Sequence, residues 1–471
     1  MRCFFACAAS VAGGALLLLA GCADVDSILS DVRAHRMSSY EAWQAERSAR
    51  DVKRKPLSGH LSLTESVLIG LGNSREVETA LLEQTKASGR ITEAWSEALP
   101  KVNLDAGYTR VDKVTSFGGT TVGAINNYSA DVTVSQPLYR GGAVSAGIRA
   151  ARLYSICADE QLRGTYQRVI FEVQKAYYDA RLALELERAS AEAVTVAQRH
   201  LQDVQKNFQA GVSSAFDVLR AEVELANLVA QHVQDLNRYH LAVTSLLDVM
   251  GVSQESAIEL ADALPYQPLE ASMEEAVRTA FLRQSDILQG ELNVRLQREA
   301  VAAAKAGYWP QADAFFTETY TRPDPHDSTR DRWGDAWRAG LSLTFPLFDG
   351  FRTAGRVKQA KAALGQSEVA LRDTEATTLL QIRQAILSME DAAKFIASQE
   401  KNKQQAEEAL RLVELGFKEG IRKEVEVLDA RRALTAAQAN YAQAIYDYAV
   451  GRLQLEKAMG TLEPPKTGNA K

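Results

Sequence analysis

Phe208-Gln-Ala-Gly-Val-Ser-Ser-Ala-Phe-Asp-Val-Leu219 and Phe417-Lys-Glu-Gly-Ile-Arg-Lys-Glu-Val-Glu-Val-Leu428 are two versions of one pattern, 209 residues apart. With that shift, residues 201–251 superimpose on residues 410–460 without a gap, and 14 of 51 positions are identical. A period this long exceeds the roughly 20–50 residues of solenoid repeats. The chain is therefore predicted to contain a duplicated domain.

Outward from these glycine turns, both copies predict the same order of elements. An amphipathic helix comes first, two strand-like segments follow, and one very long helix leads into the turn and a last helix. The first helix covers about Arg75–Leu99 in one copy and about Met273–Tyr308 in the other, and the long helices cover about 143–209 and 352–418. A helix of about 67 residues is roughly 100 Å long. Patterns of this length are typical of coiled coils and other extended assemblies.

The strand-like segments alternate apolar and polar residues with a period of two, as a sheet with two different faces requires. The alternation is clear in Tyr128–Val134 and Trp337–Phe345 and weaker in Val102–Tyr108 and Ala312–Tyr320. Their lengths approach the roughly 9–11 residues of a tilted membrane strand. A small soluble hairpin packed on helices would show a similar pattern, so these segments alone leave both interpretations open.

The N-terminus has the form of a secretory signal peptide, in which Arg2 precedes an apolar run from Cys3 to Ala20. The run leads into Leu19-Ala20-Gly21-Cys22, which resembles the lipobox of bacterial lipoproteins. We therefore expect lipid attachment at Cys22, with at least two acyl chains that hold the protein at a membrane. In the lipoproteins that it resembles, Ala23 rather than an aspartate favours the outer membrane. This signal also favours the membrane interpretation of the strands.

Composition excludes several function classes. Charged residues make up 24% of the chain and the net charge is −6, with no basic stretch dense enough to follow a nucleic-acid backbone. After the signal, no apolar run of about 18 residues remains, so a membrane crossing would require a closed barrel of strands. Cys157 is the one cysteine left after the signal and the lipid site, which excludes a disulfide framework. No zinc spacing, phosphate loop or nucleophile elbow occurs, so we expect no enzyme activity, no metal and no cofactor.

The predicted organisation has five parts. Residues 1–21 are the signal peptide, 22–59 a polar, helical, lipid-anchored lead segment, 60–260 the first repeat, 261–463 the second repeat, and 464–471 a disordered tail. The fold class is mainly α with a membrane β portion of four strands. Four strands leave open edges, which hydrocarbon does not tolerate, so closure has to come from other subunits. Three copies would supply twelve strands, a barrel size with an aqueous lumen.

Across essentially all of the mature chain, the sequence resembles the TolC family of outer-membrane factors. The resemblance rests on the duplication, on Ser135-Gln-Pro-Leu-Tyr-Arg-Gly-Gly142 and Thr344-Phe-Pro-Leu-Phe-Asp-Gly350 after the strands, and on the two tip sequences. It implies a homotrimer whose twelve-stranded outer-membrane barrel continues into a helical barrel across the periplasm. It also implies partners, namely a periplasmic adaptor and an inner-membrane pump. The function that follows is that of a passive export duct.

The resemblance also implies roles for individual residues at the tips. The turns at Gly211-Val212 and Gly420-Ile421 are expected at the periplasmic end, where the adaptor docks. Glycine at such a turn is first of all a residue that accepts a positive φ angle, and this interpretation does not exclude docking.

Four charged residues near the tips are candidates for a gate. Asp217, Glu426 and Asp429 would each form a ring of three carboxylates around the axis, which concentrates the field on passing cations. Arg422 stands where the family has a gating arginine that pairs with the acid equivalent to Asp217. The first repeat has Ser213 at the position of Arg422, so the lock belongs to the second repeat.

Two other interpretations remain at this point. One is a coiled-coil envelope lipoprotein without a pore, and the strand pairs at matching points of both copies speak against it. The other keeps the duct but assigns it to type I protein secretion. The sequence does not separate that role from drug, dye or metal efflux.

Overall fold

The computed structural model describes residues 30, 32–41, 57–117, 120–269, 272–327 and 330–465 of the 471-residue chain. Contacts divide the chain into two units, of which one comprises residues 1–60 and 252–259 and the other residues 61–251 and 260–471. The signal peptide, Cys22 and residues 466–471 lie outside the described residues. The predicted lipid site and most of the predicted disordered tail are therefore outside this description.

In the first unit, residues 32–41 are helical, within the segment predicted to be helical. Two short strands, β1 (Ser58–Leu61) and β6 (Ala257–Leu260), form a two-stranded sheet, of which residues 58–60 and 257–259 belong to the first unit. The Leu57 N–H donates to the Ser256 hydroxyl at 3.2 Å beside it. The sequence patterns did not indicate these strands, because four residues are too few to establish a period.

The described residues of the second unit form eight α-helices, four in each repeat. In the first repeat they are α1 (Leu63–Asn73), α2 (Arg75–Ser96), α3 (Ala143–Gln209) and α4 (Ala215–Val249). In the second they are α5 (Met273–Arg283), α6 (Ser285–Lys305), α7 (Arg352–Lys418) and α8 (Glu424–Ala458). Both long helices have the predicted bounds and 67 residues each. Neither contains proline, so their backbone hydrogen bonds run without a break.

The helix before the strands differs from the prediction. A single helix over Met273–Tyr308 was wrong, because the chain takes an extended conformation at Gln284 (φ −70°, ψ 120°) and divides into α5, α6 and a short 3-10 turn. The first repeat has the same break at Ser74 (φ −67°, ψ 121°), between α1 and α2. In each case the side chain at the break accepts a backbone N–H of the following helix, from Val77 or from Asp286. This capping stabilises the start of a new helix.

Four strands form one antiparallel sheet in the order β2-β5-β7-β8, where β2 is Lys101–Arg110, β5 is Asn126–Arg140, β7 is Gln311–Arg322 and β8 is Gly334–Thr344. The four predicted strands are thus present, and each extends beyond its predicted start. The register between β5 and β7 shifts between Pro137 and Tyr139, where proline offers no N–H to the ladder. A small hairpin of β3 (Thr115–Phe117) and β4 (Thr120–Val122) lies in the loop between β2 and β5.

The core lies between the helices, and small residues dominate it. In the second repeat, α5, α7 and α8 pack around Ile382, Met389 and Tyr448, which are at most 3% exposed, with alanines between them. The Tyr448 hydroxyl donates to the Gln267 carbonyl and accepts the Leu269 N–H, both at 2.8 Å. Alanine at the contacts brings helix backbones close together. Among the helices of the described residues, none has both the length and the apolar character needed to span a bilayer.

Candidate functional site

The first tip joins α3 to α4 through a glycine-terminated turn. Gly211 has a φ of +76°, and the Val212 N–H donates to the Asn207 carbonyl at 2.8 Å while the Gly211 N–H donates to Phe208 at 3.0 Å. This pair of bonds is the Schellman motif, which ends a helix without leaving its last carbonyls unpaired. The Val212 side chain is 78% exposed at the end of the turn.

The second tip joins α7 to α8 in the same way. Gly420 has a φ of +72°, the Ile421 N–H donates to the Gly416 carbonyl at 2.8 Å, and the Gly420 N–H donates to Phe417 at 3.0 Å. Ile421 is 79% exposed. Each tip therefore presents one bare aliphatic side chain directly after its glycine. Exposed aliphatic side chains of this kind are what a partner protein can bury.

Asp217 caps the helix that leaves the first tip. Its Oδ2 accepts the Ser214 N–H at 2.8 Å and the Ser214 hydroxyl at 2.7 Å, and the Asp217 N–H donates back to that hydroxyl at 3.2 Å. These bonds, first from the hydroxyl and then from the backbone, hold the pKa of the Asp217 carboxyl below its usual range. The other oxygen, Oδ1, accepts no hydrogen bond from the described residues. Asp217 is therefore ionised and has an acceptor available.

Arg422 is held within its own hairpin. Its Nη1 lies 2.7 Å from Glu426 Oε2, one helical turn further on, and the guanidinium side chain is 55% exposed. Glu426 Oε1 accepts the Lys423 N–H at 3.3 Å. Arg422, followed by that N–H, lowers the pKa of the Glu426 carboxyl. Among the described residues, no hydrogen bond or ion pair joins Arg422 to Asp217 of the same chain.

Asp429 lies exposed on α8, three residues after Glu426 and therefore on the same side of the helix. The chain thus places Glu426, Asp429 and Arg422 together at the second tip and Asp217 at the first. At the first tip, Ser213 occupies the position equivalent to Arg422 and carries no charge. The two tips have the same backbone conformation, but their side chains differ in charge.

An ion pair that sequence reasoning missed ties the two hairpins together. Arg432 on α8 donates two hydrogen bonds to Glu224 on α4, from Nε to Oε1 at 3.0 Å and from Nη2 to Oε2, and Glu224 is 8% exposed. Next to it, the Arg431 guanidinium binds Glu414 at 2.9 Å. The pairing raises the pKa of Arg432. The 209-residue shift places Glu224 on Ala433. The charge of Glu224, which has no charged equivalent in the second repeat, was therefore the one feature of the sequence that could have indicated this ion pair.

The ion pair borders a cavity of about 490 Å³ between the hairpins, lined largely by aliphatic side chains that include Leu228, Leu410 and Leu434. Within the described residues, no group of histidine, cysteine and acidic side chains is placed to hold a metal ion. Burial raises the pKa of the Cys157 thiol, so it is a weak nucleophile.

Comparisons with known proteins give the family. The sequence matches the family described as "Outer membrane efflux protein" over residues 70–252 and 276–461. It is similar to the outer membrane protein TolC of Vibrio cholerae, with 27% identity over 399 residues that cover 83% of this chain and 88% of that protein. The probable outer membrane lipoprotein SilC of Salmonella typhimurium is 22% identical over 404 residues, which are 84% of this chain and 85% of that protein.

The fold has solved counterparts. The Campylobacter jejuni CmeC outer membrane channel superimposes with a TM-score of 0.74 and 18% identity, covering 86% of this chain and 87% of that one. The family consists of channel proteins rather than enzymes, and its fold sets aside the interpretation as a spacer without a pore. The chain belongs to the outer membrane efflux protein family and is an outer-membrane channel component for efflux or secretion.

Proposed function

We propose that three copies of this chain form a passive duct from the periplasm to the exterior, gated at the paired tips. One observation carries the proposal. Helix faces that are packed within the chain in one repeat have exposed equivalents in the other repeat. When one repeat of a duplicated domain lacks the helix contacts that the other repeat has, further copies of the chain can supply those contacts by symmetric association.

The packed face lies on α3, along which α8 runs. The Tyr446 hydroxyl on α8 donates to Asp179 on α3, and Lys457 Nζ lies 4.3 Å from the centre of the Phe171 ring. Tyr178, on the same helix, is 7% exposed. Within the chain, α8 therefore covers large side chains of α3.

The equivalent face of α7 has no such cover. The 209-residue shift carries Phe171 to Leu380 and Tyr178 to Leu387, which are 55% and 51% exposed. Burying a leucine side chain is worth about 1.5–3 kcal/mol. An exposed row of this kind on a long helix therefore favours association with a matching helix.

The matching helix is α4 of a neighbouring chain. Leu428 on α8 is 5% exposed, whereas its equivalent Leu219 on α4 is 58% exposed. Placing α4 of one chain on α7 of the next repeats the α8-on-α3 contact and closes a ring. Every helix pair then has a similar partner, either within the chain or across the subunit boundary.

The four-stranded sheet also needs further copies of the chain to pair its edges. Strands β2 and β8 are its edges, and their apolar side chains are bare, with Leu104 71% and Leu341 78% exposed. Lipid covers such a face in a membrane, but the edges need strand partners. With β8 of one chain beside β2 of the next, three chains supply the twelve strands of a closed barrel with an aqueous lumen.

The tips form the gate of this duct. Arg422, oriented by Glu426, directs its remaining N–H donors to the free Oδ1 of Asp217 on the neighbouring subunit, while Glu426 and Asp429 supply carboxylate rings. The exposed Val212 and Ile421, each beside its tip glycine, form the surface on which the periplasmic adaptor docks. Pumping energy comes from the inner-membrane partner of that adaptor.

A lipid at Cys22 anchors each subunit in the outer membrane. The support is the Leu19-Ala20-Gly21-Cys22 sequence and the similarity to a protein described as a probable outer membrane lipoprotein. Replacing Cys22 by Ser should abolish incorporation of radiolabelled palmitate. Labelling that persists in the variant would contradict the anchor.

A cross-linking experiment tests the ring. The shift carries the contacting pair Tyr446 and Asp179 to Asn237 on α4 and Ser388 on α7, which are both exposed. In a Cys157→Ser background, cysteines at Asn237 and Ser388 should react with a short bismaleimide to give covalent dimers and trimers on a denaturing gel. A bismaleimide is preferred because a tyrosine and an aspartate keep their backbones farther apart than a disulfide allows.

A matched variant controls for collision. Glu390 lies two residues after Ser388 on α7 and points about 200° around the helix, so cysteines at Asn237 and Glu390 should remain monomeric after treatment. Equal cross-linking of both pairs, or none of either, would contradict the α4-on-α7 contact. Products larger than a trimer would contradict closure at three subunits.

A further inference from the structure

The two repeats differ where the chain passes from helix into sheet. In the first repeat, Trp95 lies near the end of α2 and is 44% exposed, and the Arg152 guanidinium lies 5.8 Å from the centre of its ring. In the second repeat the equivalent positions are Lys305 at the end of α6 and Lys361 on α7. A bulky indole in one repeat is thus replaced by an ammonium group in the other.

The second repeat has an open pocket beside these two lysines. Its volume is about 690 Å³, and its lining combines the two lysines with aromatic and aliphatic walls that include Tyr308, Trp309 and Phe345. Among the described residues, neither Lys305 nor Lys361 has a hydrogen-bond or ion-pair partner. Two ammonium groups at one aromatic pocket call for an anion attached to an apolar body.

The surroundings add positive charge. Residues 352–361, the first ten of α7, contain four cationic side chains and no acid. None of the four forms an ion pair within the described part of the chain. The acid just before them, Asp349, is engaged by the Thr353 N–H at 2.8 Å. The junction therefore carries a basic collar, which attracts anionic surfaces.

Exposed apolar side chains lie directly beside this collar. In the segment between β8 and α7, Leu347 is 89%, Phe348 77% and Phe351 75% exposed. Aromatic and aliphatic residues next to lysine and arginine are typical of the boundary between hydrocarbon and water. The pocket lies at this boundary, because Trp309 precedes β7 and Phe345 follows β8.

We propose that the pocket binds the phosphate headgroup of an anionic phospholipid in the periplasmic leaflet of the outer membrane. Lys305 and Lys361 hold the phosphate, and Tyr308, Trp309 and Phe345 contact the glycerol and the first acyl carbons. The proposal rests on the proposed function, since it requires the sheet to lie in the membrane. In the first repeat Trp95 stands at the position of Lys305, so we expect one site per subunit and three lipids per trimer.

Tryptophan quenching by brominated lipid tests this site in the full-length protein. The protein is reconstituted in phosphatidylcholine vesicles that contain increasing fractions of phosphatidylglycerol with brominated acyl chains, and brominated phosphatidylcholine serves as the neutral comparison. The Trp309 signal is the difference between the wild type and Trp309→Phe. Each lysine near an anionic lipid gives a preference of about fivefold, so with two lysines half-maximal quenching should need about 25-fold less phosphatidylglycerol than phosphatidylcholine.

Paired variants assign the preference to the pocket. Lys305→Gln with Lys361→Gln should abolish it. Lys394→Gln with Lys401→Gln, which removes the same charge from α7 outside the basic collar, should retain most of it. Excess inorganic phosphate, compared with chloride at equal ionic strength, should leave the quenching unchanged. Selective displacement by phosphate would show a general phosphate site and overturn the lipid assignment.

The other outcomes separate this inference from the proposed function. Equal quenching by both brominated lipids, with normal channel conductance, would overturn the lipid site and leave the duct in place. Quenching by neither lipid, without conductance, would overturn the membrane position of the sheet and with it the duct. Unchanged preference in the Lys305 and Lys361 double variant would also refute the assignment.

Discussion

Replacing Arg422 by Ala should open the duct. The guanidinium is 55% exposed, so solvent would screen the proposed pairing with Asp217 of the neighbouring subunit, and each such pair would be worth only about 0.5–1 kcal/mol. Three symmetric pairs break together when the tip opens, which amounts to about 1.5–3 kcal/mol per channel. The ratio of closed to open channels should then fall by about 10- to 150-fold.

Planar bilayer recording measures this change as the mean conductance per channel. Arg422→Ala and Asp217→Asn should raise it by similar factors, and the double variant should rise no further than either single variant. Glu426→Gln should give a smaller rise, because Glu426 orients Arg422 rather than receiving it across the boundary. Arg422→Lys keeps the charge and should retain part of the closure. If Asp217→Asn left the conductance unchanged while Glu426→Gln raised it as much as Arg422→Ala, the pairing between subunits would be refuted. The stabilising contact would then lie within one hairpin.

Three further perturbations have definite expected results. The Ser214 hydroxyl lowers the pKa of Asp217, and the Arg422 guanidinium lowers the pKa of Glu426. Both carboxylates therefore stabilise the tip at neutral pH, and this effect is lost only as the pH falls through the lowered pKa values. Mean conductance should therefore be flat from about pH 7 to about pH 5 and rise below about pH 4, whereas a rise centred near pH 6 would point to histidine. Ser214→Ala removes the helix cap at a cost of about 1 kcal/mol, so amides 214–218 should exchange about fivefold faster by mass spectrometry, with no change at the second tip. Arg432→Met leaves the buried Glu224 carboxylate without its cation. Because the guanidinium is about half exposed, we expect the free energy of unfolding to fall by about 1–2 kcal/mol, seen as a lower thermal midpoint in circular dichroism. An unchanged midpoint would show that the pair is not stabilising.

The long elements could be predicted from the sequence because each depends on a pattern repeated many times. The helices over 143–209 and 352–418 contain no proline, and their glycine turns supply clear end signals, so both have the predicted bounds. The strands alternate with a period of two, so their presence was predictable. Their ends were not, because ladder bonds extend a strand beyond the residues that show alternation. Strand β5, predicted over Tyr128–Val134, continues to Arg140.

Features that depend on a single residue were less accessible. The break at Gln284 follows from one side chain that caps the next helix, and glutamine is not a usual capping residue. The Glu224–Arg432 pair joins helices about 208 positions apart in the chain, and on each helix taken alone either residue belongs to an ordinary charged face. The tip residues could be named from the sequence. The partner of Arg422 within one chain could not, because Glu419, Glu424 and Glu426 all lie within four residues of it in the sequence, and only the turn geometry selects Glu426.

The difference between the repeats also indicates which boundary moves when the duct opens. Within one chain the hairpins are fastened near the tips by Glu224 and Arg432. The 209-residue shift carries that pair to Ala433 and Val223, so the equivalent contact between chains has no charge to break. In the proposed ring, the boundary between chains would therefore depend on small apolar contacts and on the exposed Arg422 pair, and we expect it to be weaker than the boundary between the two hairpins of one chain. We therefore expect opening to separate neighbouring chains while each chain keeps its two hairpins together. Arg432→Met should then lower stability without the rise in conductance expected for Arg422→Ala.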